Sequence, residues 1–128
     1  MCKLVSIETN FGENVEVADV KANTVRQIIE IATSCEQIDY IILFGSSVEE
    51  TCTEESDIDI AIVSNVTKSR LFKSKEYDKF TTSLYDINSQ QEYDILQFNS
   101  LKKIESSKEY VCKDIVHKGK IIYKREVC

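Results

Sequence analysis

The stretch FGSSVEETCTEESDIDIAIV, Phe44 to Val63, decides how the rest of the 128-residue chain is read. Its second half alternates apolar and polar residues, the period of a strand, yet it opens on two aspartates. Residues two apart share a strand face, so Asp57, Asp59, Ala61 and Val63 point one way while Ile58, Ile60 and Ile62 point the other. Two carboxylates with oxygens about 5 Å apart, in an effective dielectric of about 20, repel by roughly 3 kcal/mol. That is large beside the marginal stability of a domain. Solvent at an exposed strand end can offset the repulsion, as can a shared proton. A hard divalent cation offsets it best, because Mg²⁺ takes a few carboxylate oxygens together with water and substrate phosphate.

Working outward, the segment before this strand is DYIILFG, a nearly continuous apolar run of the kind found in a central strand. It ends on Gly45, one of only three glycines in a chain without proline. A glycine there lets the backbone turn sharply and present its amides, with the Ser46 hydroxyl, to an anion. On the other side, EYDILQF places Asp94 in a second alternating strand, on the same face as Leu96 and Phe98. A carboxylate on an apolar face is costly to bury unpaired. Asp94 therefore lies at an exposed strand end or has a cationic partner, and beside Asp57 and Asp59 one ion could serve all three.

The remaining pattern completes an α/β domain. Gly12 separates CKLVSIE from VEVADV, which predicts an N-terminal β-hairpin within residues 1–20. TVRQIIEIATSC carries Val25, Ile28, Ile29 and Ala32 at helical spacing, with Asn23 or Thr24 as its N-cap. A single helix is expected from Lys68 to about Leu84, with Leu71, Phe72, Tyr77, Phe80 and Leu84 as its apolar residues. Another is expected over SLKKIESSKEYVCKDIVHKG, with Leu101, Ile104, Val111, Ile115 and Val116 facing inward. Gly119 reads as its C-cap, followed by a terminal strand from Lys120 to Tyr123. Helices interleaved with strands imply a mixed β-sheet with helices packed on it, one domain over residues 1–128 with its core at 22–124.

Composition narrows the function classes. Twenty-two acids against sixteen bases leave a net charge of −6, which argues against a broad phosphate-tracking surface and hence against non-specific nucleic-acid binding. Cys2, Cys35, Cys52, Cys112 and Cys128 form no CxxC, and with His117 as the single histidine the chain lacks a zinc-ligand cluster. Reduced thiols in a cytoplasmic protein are expected. No run approaches the roughly 20 apolar residues of a membrane span, and the N-terminal residues hold no signal-length apolar core. Cys52 sits in the loop after Ser46, where it can be exposed, but no basic neighbour marks it as an activated thiolate. His117, near a helix C-terminus, suits the terminal carbonyls or solvent.

An apolar strand, Phe44-Gly45-Ser46, ten intervening residues, Asp57-Ile58-Asp59 in a second strand, and then Tyr93-Asp94-Ile95 together resemble the nucleotidyltransferase superfamily of the DNA polymerase β type. The likeness is strongest to its minimal nucleotidyltransferases, the MNT antitoxins. HKGKIIYK, residues 117–124, looks like the close of these domains, and the resemblance covers roughly Val25 to Lys124. It implies that Gly45, Ser46 and Ser47 hold the phosphates of ATP or another nucleoside triphosphate. It further implies that Asp57, Asp59 and Asp94 bind two Mg²⁺ ions and carry the catalysis. The implied reaction moves a nucleoside monophosphate, AMP in the leading case, to a hydroxyl on a HEPN-type partner protein or a small molecule. Self-association could build the acceptor half of the site instead. Many relatives carry an arginine after Gly-Ser and further basic residues nearby, whereas this chain reads Ser47-Val48-Glu49-Glu50. Lys68, Arg70, Lys73 and Lys75 could lend the missing charge, or could simply form a solvated helix face. The alternative to an enzyme is a catalytically weak module that neutralises its partner by contact.

Overall fold

β-branched and aromatic side chains dominate the two segments that flank the Gly45 turn, and both form strands for that reason. In the computed structural model, which describes residues 2–125, β3 is Ile38–Phe44 and β4 is Ile58–Ser64. They pair antiparallel, with Phe44 opposite Asp59. β5 (Tyr93–Phe98) lies parallel to β4, and β6 (Lys120–Lys124) lies antiparallel to β3, giving the order β5-β4-β3-β6. This is the mixed sheet expected. β1 (Leu4–Glu8) and β2 (Asn14–Ala18) form a separate two-stranded hairpin, turned at Gly12 with φ +86°.

The alternation of β4 sends its side chains into two different cores. Ile58, Ile60 and Ile62 join Ile41 and Leu43 beneath α1 (Ala22–Ala32) and α3 (Lys75–Ile87), with Ile7 and Val17 of the hairpin in the same cluster. Ala61 and Val63 join Ile42 and Phe44 beneath α4 (Leu101–Ser106) and α5 (Tyr110–Lys118). Helices thus cover both faces. Burying one isoleucine side chain contributes about 1.5–3 kcal/mol relative to exposure, so β4 is a principal source of cohesion.

Several local expectations are corrected. The single helix expected from Lys68 is two, α2 (Lys68–Lys73) and α3, because Ser74 is extended at φ −74°, ψ 130° and its hydroxyl accepts from the Tyr77 amide as an N-cap. The last helix is likewise two: Ser107, at φ −72°, ψ 143°, ends α4, and Glu109, at φ −69°, ψ 143°, starts α5. Phe72 and Val116 fall on the outer sides of these shorter helices and are exposed. α1 is capped at neither Asn23 nor Thr24; it begins at Ala22, entered through a 3-10 turn at Asp19–Lys21. Gly119 does follow α5, but its φ of −64° needs no glycine. A Cβ there would sit 2.3 Å from the Ile115 carbonyl oxygen and 2.8 Å from Ile42 Cγ2, so close packing demands the residue.

Candidate functional site

Gly45 joins the central strand to the site. Phe44 is still extended, and Gly45 then turns to φ +71°, a left-handed conformation that costs other residues about 1–2 kcal/mol. The chain continues as a 3-10 turn, Gly45–Val48, closed by the Glu49 amide on the Ser46 carbonyl at 2.9 Å. A Cβ on Gly45 would stand 2.2 Å from Asp59 Oδ2. The missing side chain therefore admits the Asp59 carboxylate against the turn. Ser47 is fully buried, and its Oγ has no hydrogen-bond partner among the described residues. A buried hydroxyl without a partner is uncommon enough to call for a reason.

Strand register brings the acids together. Phe44 opposes Asp59 across β3 and β4, and Asp59 is paired in turn with Asp94 across β4 and β5. Asp57 immediately precedes β4 and is exposed, as is Asp94, while Asp59 is partly buried. Asp59 shares its face of β4 with Ala61 and Val63, and Asp94 shares its face of β5 with Leu96 and Phe98, and it is these apolar neighbours that pack beneath α4 and α5. Burial is the main force holding the Asp59 carboxyl up to about 6, above its ordinary 3.8, followed by the charges of Asp94, Asp57 and Asp114. Asp114, on α5, is an acid that strand periodicity could not reveal; only the packing of α5 over this face brings its charge to bear. Among the described residues no three Asp, Glu, His or Cys side chains are drawn close enough to hold an ion by themselves. The donor set nevertheless fits a hard divalent cation whose shell is completed by water and phosphate oxygen. It is all oxygen, and Asp59 is held off its usual ionisation first by burial and then by like charges, which a cation would neutralise.

Lys68 lines a cavity of about 630 Å³ with Ser64, Phe98 and Lys103, at the far end of β4. The five residue steps from Asp59 to Ser64 put that end roughly 17 Å from Asp59, so Lys68 does not supply charge to the Gly45 turn. Lys118 does approach it, with its Nζ 3.6 Å from Glu49 Oε1. Cys52, whose loop position left it free to be exposed, is instead buried with its Sγ toward the Thr53 carbonyl. Cys128 lies outside the described residues.

Comparison with known proteins bears on the family and the fold. The family model for Polymerase beta, Nucleotidyltransferase matches residues 26–127. Among solved structures, a mutant of the toxin-antitoxin MntA-HpeT superposes with a TM-score of 0.52 at 18% identity, over 80% of this chain and 74% of that one. A toxin-antitoxin with AMP-PNP superposes with a TM-score of 0.50 at 19% identity, over 81% of this chain and 73% of that one. At such identities the likeness is one of fold. No functionally curated protein matches the chain. The match to the family model, covering most of the sequence, establishes that the chain belongs to the Polymerase beta nucleotidyltransferase family.

Proposed function

We propose that the protein transfers a nucleoside monophosphate, AMP from ATP, to a hydroxyl on a partner protein, as the antitoxin half of a toxin–antitoxin pair. The observation that carries this is the alignment of Asp94, Asp59 and the Gly45 turn across three neighbouring strands. The amides of the Gly45–Val48 turn and the Ser46 hydroxyl would receive triphosphate oxygens, whereas Ser47, fully buried, would support the turn from beneath rather than touch the phosphates. Asp57 and Asp59 would hold the triphosphate side of the site, and Asp94 the acceptor side, orienting the attacking hydroxyl in line with the leaving pyrophosphate. Two Mg²⁺ ions held by these carboxylates would supply Lewis acidity, easing loss of the acceptor proton and neutralising the departing charge. Lys118, steered by Glu49, is the cation placed to meet a triphosphate at this turn. The solved neighbours are toxin-antitoxin structures, one of them with AMP-PNP, which supports a protein partner and an adenine nucleotide. A HEPN-type protein or a second copy of this chain would then complete the acceptor half.

Glu49 and Glu50 favour a second reading, a module that neutralises its partner by contact, since acids beside the turn weaken triphosphate binding. Transfer of label from α-labelled ATP to a co-expressed partner in Mg²⁺, lost in Asp57→Asn and Asp94→Asn, decides for the enzyme. Protection of the partner by the doubly substituted protein, without labelling by the wild type, decides for the module.

A further inference from the structure

We propose that Lys21 and Gln91 are positioning residues that fix the gap between Asp57 and Asp94; this rests on the transfer reading for what the gap is used for. Lys21 is only 2% exposed, rare for a lysine, and its two hydrogen-bond partners are both uncharged. Its Nζ donates to the Glu54 carbonyl at 2.9 Å and to Gln91 Oε1 at 2.7 Å. Gln91 is 7% exposed and donates through Nε2 to the Ser56 carbonyl at 3.1 Å and the Glu92 carbonyl at 2.7 Å.

Every contact in this network falls on a segment that ends in a site carboxylate. Glu54 and Ser56 lie in the loop that delivers Asp57, and Glu92 lies two residues before Asp94. The Ile58 amide also donates to the Glu92 carbonyl at 3.0 Å, closing the same seam. Only one orientation of the Gln91 amide satisfies all partners, because lysine can only donate and the two carbonyls can only accept. The network is thus specific as well as satisfied. Lys21 is anchored from behind: the Asp19 amide donates to the Lys3 carbonyl at 2.8 Å, and the Lys3 amide to Asp19 Oδ1. The N-terminal segment, which lies before the family match at residue 26, thereby clamps the acid-bearing loop from outside the shared core.

The full-length protein tests this with two variants. Lys21→Met keeps length but donates nothing. Gln91→Glu keeps an acceptor for Lys21 but removes both donations to Ser56 and Glu92. With melting midpoints close to wild type, both should weaken Mn²⁺ binding in calorimetric titration about tenfold, the usual effect of losing an outer partner of a metal ligand. Amide hydrogen exchange should quicken about tenfold at residues 52–58 and 92–94 and stay unchanged in β3, the mark of local release. If Lys21→Met does not fold, Gln91→Glu decides by the same readouts. Faster exchange spread evenly through β3 and α1, or unchanged exchange at 52–58, overturns the proposal. A wild type that binds no Mn²⁺ would sink the transfer reading instead, and the exchange pattern would still decide whether the clamp exists.

Discussion

The two ends of β4 have opposite physical characters. From Ile60 to Ser64 every residue is buried, and the isoleucines lock two layers together. At the other end Asp57 is exposed just before the strand, while Asp59 within it is partly buried and lies beside Asp94. One end is built for cohesion, while the other accepts electrostatic repulsion that the buried end can withstand. Cohesion and the proposed chemistry are thus separated along a few residues of the chain.

Substitutions at the two ends should therefore separate. The largest effect is expected at the rim: Asp57→Asn or Asp94→Asn should lower nucleotidyl transfer on the order of a thousandfold, the several kcal/mol that metal assistance supplies. Their urea midpoints should stay at or above wild type. Conversely, Ile60→Ala should cost about 2–5 kcal/mol in urea unfolding and leave transfer per folded molecule intact. The two glycines sharpen the contrast. Gly119→Ala, which drives a methyl into the Ile115 carbonyl, should cost about 1–3 kcal/mol of stability alone. Gly45→Ala should cost about 1–2 kcal/mol for its positive φ and also displace Asp59, so that unfolding and nucleotide binding both suffer.

The smallest effect carries a sign. With Asp59 held up to about 6 against an ordinary 3.8, the folded protein keeps a proton that the unfolded chain has already lost between those values. In the absence of divalent cation, the Asp59 contribution to stability is therefore fully present below pH 3.8 and is lost as pH rises through about 6. Asp59→Asn should then raise the melting midpoint at pH 7 by about a few degrees and flatten that part of the pH profile.

The sheet and its rim were legible because their signals are local. DYIILF and IDIAIV announce strands through composition, and Asp57, Asp59 and Asp94 stand out as acids inside apolar alternation. The helix breaks carried a signal that apolar spacing overrode. Ser74, followed by Glu76 and Asp78, is a capping pattern, and Ser107 with Glu109 marks a similar pause. Asp114 and Lys21 were not legible in the same way. An acid on a helix and a lysine beside an aspartate read as solvated surface until α5 is laid over the sheet and the hairpin over the loop. Gly119 was placed correctly at a helix end, but for a backbone freedom it does not use. Contacts between distant segments decided all three.

The central claim is that like charges at the rim of β4 persist because a cation completes them. The melting midpoint at pH 7, measured with and without Mg²⁺ and a non-hydrolysable ATP analogue in wild type and Asp94→Asn, tests it most directly. A rise with the two ligands together in wild type, absent from Asp94→Asn, is the predicted result. An equal rise in both proteins, or none in wild type, would contradict it.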